Sequence, residues 1–408
     1  MKKALIFLLI IQIIMLLCAC GTTAEPDPTE DADVANPQEP VIAEQETVSP
    51  ELCHHEAWDD HHTCLNCGFV CPHERWKNGI CTLCGAVCPH EEHDAETQLC
   101  MVCGEKVWHN FYHGVCACGA EPDLRTDYLD LKTYFVEQPE QGTLLHVPYQ
   151  TSNYAYPDGE KSFDKELLVY LPFGYDASKP YDVLLLLHGQ YGMPEDYMTR
   201  PMDYYDWRSK AVGINLYDYI FANRVSKPVI LVAITTRAQV NGSMITETNQ
   251  EQLIPEIRNN ILPCIVEKFS TYAKSSELED IRDARDHFGF CGISTGEILA
   301  IDCAILENLD LFGNFILMSG DGRSKDAVEF LNSEEGRKYP IDYLFSACGT
   351  YDLRQRSATN LYLHMVAHTD AIIEGENTMH LFIQGGHQWC VWFTGLYNAL
   401  QLLFPVQA

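Results

Sequence analysis

Residues 288–296 read Phe288-Gly289-Phe290-Cys291-Gly292-Ile293-Ser294-Thr295-Gly296. The apolar run Phe288 to Ile293 leads into the pattern G-x-S-x-G, and a helical-looking run follows from Ile298 to Leu306. A strand, a tight turn and a helix in this order are typical of a nucleophile elbow. The glycines permit the sharp turn, and the helix N-terminus places positive partial charge beneath the serine oxygen. Because a serine between two glycines is also a common plain turn, Ser294 is a candidate nucleophile that needs partners elsewhere.

Apolar runs that read as buried strands alternate with helix candidates over the C-terminal part of the chain. The runs are Leu167–Leu171, Val183–Leu187, Val229–Ile234, Phe315–Met318, Tyr343–Ala347 and His380–Ile383, and the main helix candidates are Glu251–Tyr272 and Glu297–Leu306. Continuous apolar strands are expected where both faces of a parallel sheet are covered by helices. The pattern therefore predicts an α/β fold with a doubly wound, mostly parallel sheet, whose functional site lies at the carboxyl ends of the strands.

Triad candidates close these predicted strands. Ser294 is followed along the chain by two aspartates, Asp321 and Asp352, and then by His387. The order Ser, Asp, His is that of the α/β-hydrolases. His387 would take the serine proton, and an aspartate would hold the imidazole tautomer. Asp352 is favoured over Asp321 because the loop after the penultimate strand lies beside the histidine loop; either aspartate could instead be a helix N-cap.

The strand end at His188-Gly189 predicts part of an oxyanion hole. Negative charge develops on the carbonyl oxygen during attack, and hydrolases of this architecture offer it a backbone amide at this position. The second amide would be that of Thr295, directly after the nucleophile. His188-Gly189 could also be a simple strand-terminating turn.

Four segments of the chain resemble carbohydrate esterase family 1, which contains feruloyl esterases, acetyl-xylan esterases and esterase-D-like enzymes. The segments are Ala284–Ser294, Met318–Asp321, Gly349–Asp352 and Gly385–Leu400. The likeness covers most of residues 140–405 and departs from the family pattern at Thr295, Glu297 and Gln388.

The resemblance implies an α/β-hydrolase fold and a Ser-His-Asp mechanism that needs no cofactor, with Ser294, Asp352 and His387 as the triad. It places the oxyanion amides on Gln190 and Thr295. It also implies esters on plant cell-wall polysaccharide as substrates, with feruloyl or acetyl as the acyl group.

A repeated cysteine-histidine pattern occupies residues 53–118, which hold eleven of the eighteen cysteines and nine of the sixteen histidines. Each of three full copies supplies three thiolates and one imidazole, the ligand set of a closed tetrahedral zinc site. The candidate ligands are Cys53, His55, Cys64 and Cys67; Cys71, His73, Cys81 and Cys84; and Cys88, His90, Cys100 and Cys103. A fourth copy is degenerate, with Val107, His109 and Cys116-x-Cys118.

Zinc and disulfides are the two alternatives for this array. Cysteine-rich segments of exported proteins are usually disulfide frameworks. A histidine recurs here in phase with the cysteines, which disulfides do not require, so structural zinc is favoured.

The N-terminus predicts export and a lipid anchor. Lys2-Lys3 precede an apolar run from Ala4 to Leu17, which is short for a membrane span and typical of a signal peptide. The ending Leu17-Cys18-Ala19-Cys20 resembles a bacterial lipobox, with Cys20 as the lipidated residue; an ordinary signal peptide or an uncleaved anchor are the alternatives. Residues 21–52 hold nine acidic residues and no Lys or Arg, which favours a solvated tether.

These patterns predict four regions: residues 1–20 as a lipoprotein signal peptide, 21–52 as an acidic disordered tether, 53–118 as zinc-ribbon-like repeats and 125–408 as an esterase domain. The formal charge of −31 argues against nucleic acid as a partner. The predicted protein is a serine esterase on the outer face of a bacterial cell membrane, acting on acylated polysaccharide. The alternatives are a catalytically weak carbohydrate-binding protein on the same fold, and a zinc-binding surface module with the hydrolase as a passenger.

Overall fold

The computed structural model describes residues 124–155, 162–204, 208–240, 243–245 and 250–406, together with six short N-terminal pieces. The pieces are residues 63–65, 70–71, 76–77, 80–81, 111–112 and 115–116. The chain divides into two units, residues 1–72 and 73–408. In the first, Thr63 pairs with Val70 in an antiparallel bridge. In the second, Trp76–Lys77 pairs with Ile80–Cys81, and Phe111–Tyr112 with Val115–Cys116.

The signal peptide, Cys20, the tether and most of the predicted zinc ligands lie outside the described residues. Those ligands are Cys53, His55, Cys67, His73, Cys84, Cys88, His90, Cys100 and Cys103. Cys64, Cys71 and Cys81 are described, and all three are buried. Within the described part of the chain, no group of three or more potential metal-ligating side chains comes together, and no helix has the length and apolarity to cross a bilayer.

A nine-stranded sheet organises the rest of the protein. Its strands are β1 (Arg125–Thr126), β2 (Thr143–Ser152), β3 (Ser162–Leu171), β4 (Asp182–Leu187), β5 (Val229–Ile234), β6 (Phe288–Ile293), β7 (Asn314–Met318), β8 (Tyr343–Gly349) and β9 (Thr378–Ile383). Their order is β1-β9-β8-β7-β6-β4-β5-β3-β2. In this spatial order, each strand from β1 to β5 is parallel to the next one. At the other end of the sheet, β3 is antiparallel to both β5 and β2. The predicted mostly parallel α/β sheet is confirmed.

Helices cover both faces of the sheet. They are Leu131–Tyr134, Pro194–Met198, Gly213–Ala222, Gln250–Glu256, Leu262–Lys268, Leu278–Asp283, Thr295–Leu299, Leu306–Asn308, Ser324–Asn332, Gln355–His368 and Trp389–Leu403. The π-helical segments Ile257–Ile261 and Ala300–Ile305 join two pairs of these into longer helices. Short 3₁₀ turns lie at Arg285–His287, Leu309–Leu311 and Gly336–Lys338, and two small hairpins pair Met202–Asp203 with Lys210–Ala211 and Ala238–Val240 with Ser243–Ile245.

Alternate residues of the central strands enter two separate apolar cores. In β4, Val183 and Leu185 pack in the core that contains Leu299, whereas Leu184 and Leu186 pack on the opposite face with the Trp389–Leu403 helix. Every residue of β4, β5, β6 and β7 is buried. Because side chains of a strand alternate between faces, a sheet covered on both sides needs the continuous apolar runs that this sequence contains.

Several element boundaries differ from the sequence predictions, as in β3, which begins at Ser162 and not at Leu167. The helix predicted over Glu251–Tyr272 ends at Lys268, because Phe269 is extended and Thr271 forms a parallel bridge with Tyr181. The long edge strand β2 was not predicted, since its exposed and buried residues alternate and it contains no continuous apolar run.

Candidate active site

Ser294 stands at a sharp turn between β6 and the helix that begins at Thr295. Its backbone has φ 54° and ψ −121°, a conformation that side-chain-bearing residues rarely adopt. A methyl group on Gly292 would lie 2.0 Å from the carbonyl oxygen of Gly296, and one on Gly296 would lie 2.5 Å from that of Leu187. Both glycines are therefore required by the close backbone approach, as the G-x-S-x-G pattern predicts.

The structure brings Ser294, His387 and Asp352 into one hydrogen-bonded chain. Ser294 Oγ lies 2.9 Å from His387 Nε2, and His387 Nδ1 lies 2.9 Å from Asp352 Oδ1. The Asp352 side chain is fully buried, while that of His387 keeps 22% of its surface exposed. This geometry lets Nε2 accept the serine proton while the aspartate fixes the N–H on Nδ1.

Asp352, and not Asp321, is the carboxylate that contacts His387. Asp352 Oδ1 also accepts the backbone N–H of Arg354 at 2.7 Å. Asp321 lies to one side, where it forms an ion pair with the Arg354 guanidinium. Arg354 thus binds Asp352 through its backbone N–H and Asp321 through its guanidinium.

The loop after β4 lies against the serine. A methyl group on Gly189 would sit 3.0 Å from Ser294 Cβ. The next residue, Gln190, begins a turn that is closed by the Gly192 N–H donating to the Gly189 carbonyl at 3.0 Å. The amides of Gln190 and Thr295 thus belong to the two segments that meet at Ser294, and their role as oxyanion donors stays a prediction.

His188 anchors this loop as a buried, neutral imidazole. Its Nδ1 donates to the Gly189 carbonyl at 2.8 Å, and its Nε2 lies 2.8 Å from Thr235 Oγ1. Burial, opposed by the hydrogen bond to Gly189 and reinforced by the nearby charges of Arg237 and Lys165, lowers the pKa of His188 to about 4. The imidazole therefore stays uncharged, with Nδ1 as the donor and Nε2 as the acceptor.

A layer behind the hydrogen-bonded chain joins the loop after β7 to the segments that carry Ser294, His387 and Asp352. Glu297 accepts the backbone N–H of Gly320. Trp392 Nε1 donates to Ser319 Oγ at 3.0 Å, and the Trp392 ring packs edge to face against His387, with ring centroids 5.0 Å apart. Residues 319–321 therefore connect the elbow helix, the histidine and, through Arg354, the aspartate.

Glu297 was visible in the sequence as a departure from the family pattern, but without a role. Its side chain is buried beside the triad, and burial, opposed by the Gly320 hydrogen bond and reinforced by the charges of Asp352 and Asp321, raises its pKa from 4.5 to about 8. Near neutral pH the group is therefore mostly protonated, so it places little negative charge beside the oxyanion region. Gln388, the other departure, donates its side-chain N–H to Cys390 Sγ at 3.0 Å.

Glu297→Gln is expected to remove a pH dependence of stability. The folded pKa of about 8 lies above the ordinary value of 4.5, so between these values the folded protein binds more protons than the unfolded chain. Wild-type stability therefore falls as pH rises through this window. In urea unfolding, the free energy of unfolding of the variant relative to that of wild type should rise by a few kcal/mol between about pH 5 and about pH 8. Glu307→Gln, an exposed carboxyl on the following helical segment, is the control; a parallel pH dependence of wild type and Glu297→Gln would contradict the assignment.

Comparison with known proteins supports the fold. No protein-family model matches the chain. Over 190 residues, 46% of the chain, it is 32% identical to endo-1,4-beta-xylanase Y of Acetivibrio thermocellus, and it spans 15% of that protein's length. A mutant of the feruloyl esterase module from Clostridium thermocellum, complexed with sinapinate, has a TM-score of 0.57 at 22% identity, covering 69% of this chain and 95% of its own. A second structure, of a protein called FAE, gives a TM-score of 0.58 with the same identity and coverage.

The sheet order, the elbow and these neighbours define the class of the fold. The chain has the α/β-hydrolase fold, in the form that the feruloyl esterase module also has.

Proposed function

We propose that the protein is a serine esterase that cleaves feruloyl or acetyl esters on plant cell-wall polysaccharide. The observation that carries the proposal is the hydrogen-bonded chain from Ser294 Oγ through His387 to buried Asp352. The substrate class is supported by the likeness to a feruloyl esterase module complexed with sinapinate and to a xylanase.

The geometry supports a two-step reaction through an acyl-enzyme. Ser294 Oγ attacks the ester carbonyl as His387 Nε2 takes its proton, and the carbonyl oxygen becomes an oxyanion facing the amides of Gln190 and Thr295. Collapse breaks the bond to the alcohol, which leaves with the proton from His387. Water then attacks the acyl carbonyl as His387 takes its proton; the bond to Ser294 Oγ breaks, His387 returns the proton to Oγ, and the carboxylic acid leaves.

The proposal for the whole protein also includes its location and its N-terminal module. Its support is the sequence pattern: a lipobox-like Cys20, an acidic tether over 21–52 and the in-phase histidines of 53–118. The protein would be exported, anchored by lipid on the outer face of a bacterial membrane, and would carry structural zinc. Catalysis would need no cofactor.

The test of the proposed function is hydrolysis of an ester panel by the purified protein. Short acyl esters, acetylated xylan and methyl ferulate should be hydrolysed, and a fluorophosphonate probe should label a single site that maps to Ser294 by mass spectrometry. Prior incubation with the probe should abolish turnover of every ester in the panel. Glycan binding without turnover and without labelling would instead support a carbohydrate-binding protein on this fold.

A further inference from the structure

A cavity of about 360 Å³ lies beside the catalytic loop and is not used by the triad. Its volume falls at the lower end of the range of roughly 300–1,000 Å³ that is usual for ligand pockets. Its walls come from β3, from the turn that ends β5, and from the loop and helix that follow Gly192; Lys165, Met193, Glu195, Thr235 and Arg237 are its principal residues. We call it the Arg237 pocket.

The Arg237 pocket is connected to Ser294 through the loop that carries the predicted oxyanion amide. Gly189 lies against Ser294, and its neighbour His188 is hydrogen-bonded to Thr235 in the pocket wall. Met193 and Glu195 continue the same loop. In the sheet, β4 alone separates β6 from β5, and β3 follows β5. Two to three strand spacings place the pocket roughly 10–14 Å from the serine, on the same edge of the sheet.

Lys165 and Arg237 differ in whether their charged groups are available to bind a ligand in the pocket. Lys165 is fully engaged, since its ammonium lies 2.8 Å from Glu256 and donates to the Thr235 carbonyl at 2.7 Å. The Arg237 guanidinium instead contacts Met193 Sδ at 3.2 Å and forms no ion pair with any side chain that the structure describes. Glu195 also lines the pocket, and its carboxylate supplies acceptor oxygens. Arg237 and Glu195 therefore offer a donor and an acceptor to a ligand.

The lining determines which ligand chemistry fits. Among the described residues that form the pocket, none is aromatic, whereas the apolar wall is made of Pro148, Leu168, Met193 and Pro194. Asp164 and Glu166 also line it, so that among the lining residues that the structure describes the carboxylates outnumber the available cation, Arg237. A phenyl ring could pack against this apolar wall but would leave Arg237 and the carboxylates without partners, and an anionic ligand would meet net negative charge. A neutral ring that carries several hydroxyl groups satisfies both the acceptors and the donors.

We infer that the Arg237 pocket is a saccharide subsite, which binds a neutral sugar of the polysaccharide at a position beyond the esterified sugar. This inference rests on the proposed function. Arg237 and Glu195 hydrogen-bond to the sugar hydroxyls, and the apolar wall packs against the ring. A substrate that fills the pocket extends along the loop 188–195. The same loop therefore binds the polymer and positions the ester.

Arg237→Gln tests the subsite by comparing two feruloyl esters. With methyl ferulate and a feruloylated arabinoxylo-oligosaccharide, the variant should raise KM for the oligosaccharide about tenfold more than KM for the methyl ester, a loss of about 1.4 kcal/mol. Glu195→Gln should shift the same ratio in the same direction. Arg337→Gln, an exposed arginine ahead of the N-terminal end of β8, should leave the ratio unchanged. Equal effects on both esters, or none, would overturn the inference.

A binding measurement separates this inference from the proposed function. Calorimetry with unesterified xylohexaose on the Ser294→Ala protein needs no turnover, and Arg237→Gln in that background should weaken binding about tenfold. If wild type hydrolyses no ester, the proposed function fails while this titration still reports on the pocket. If esters are hydrolysed but xylohexaose binding is absent or unaffected by Arg237→Gln, the subsite is wrong and the esterase stands.

Discussion

Replacing Ser294 by alanine is expected to lower kcat for every ester that the protein hydrolyses by at least about 10⁴-fold. The substitution removes the oxygen that lies 2.9 Å from His387 Nε2 and leaves no other hydroxyl in that position. KM should change little, because the serine contributes to bond formation more than to ground-state binding. Steady-state kinetics on methyl ferulate, with the variant purified apart from any wild-type enzyme, measures both constants.

Ser319→Ala is the matched control for that loss. Ser319 also follows a parallel strand and also has a positive φ, 62° against 54° for Ser294. Its hydroxyl accepts from Trp392 Nε1, so its removal should slow turnover less than about tenfold. The double variant Ser294→Ala/His387→Ala should be no slower than Ser294→Ala alone, since the two groups act as one unit. Appreciable residual turnover in Ser294→Ala would show that another group is the nucleophile.

The sequence indicated that Ser294, Asp352 and His387 would lie together, because each of them follows a buried strand. Continuous apolar runs mark strands such as β4 and β6, and the polar residue after each run lies at one edge of the sheet. Ser294 lies 93 positions and Asp352 lies 35 positions before His387 in the chain, yet the strand order brings the three residues together. The chain order selected Ser294 and His387, and the position of the loop after the penultimate strand was needed to prefer Asp352 over Asp321.

The sequence could not predict side-chain contacts between segments that are separate in the chain. Glu297 was visible as a departure from the family pattern, but its bond to Gly320 depends on how the loop after β7 meets the elbow helix. Trp392 lies on an apolar helix, and nothing in that helix's sequence indicates that its ring contacts His387. The π-helical segment Ala300–Ile305 likewise has no separate sequence signal, because its residues are all buried and read as ordinary helix.

The Arg237 pocket was missed for a similar reason. Lys165 lies in a strand that alternates polar and apolar residues, and it is buried because Glu256, on a distant helix, neutralises it. Pairs of this kind are invisible without the fold, since one charge alone in an apolar interior would be strongly unfavourable. The one local signal was Thr235-Thr236-Arg237, a polar run directly after the apolar strand β5.

Asp352→Asn is expected to lower kcat about 10⁴-fold at neutral pH while the protein stays folded. Asp352 Oδ1 accepts from both His387 Nδ1 and the Arg354 backbone N–H. Because one oxygen accepts both bonds, an asparagine oxygen in that position can keep them, but the amide carries no charge to stabilise the imidazolium. If the amide is rotated, its N–H₂ faces Nδ1 and imposes the wrong tautomer on His387. Circular dichroism and thermal unfolding verify the fold, and methyl ferulate hydrolysis measures kcat.

Asp321→Asn decides between the two aspartates that the sequence offered. Asp321 pairs with Arg354 and does not touch the imidazole, so its loss should act only through the position of the Asp352 loop. We expect an effect below about tenfold, because an ion pair that is partly exposed contributes little. If Asp321→Asn were the more damaging substitution, Asp321 would be the triad acid in the working enzyme. The expected contrast, about 10⁴-fold against less than tenfold, assigns the acid to Asp352 because the two variants remove the same charge from neighbouring loops.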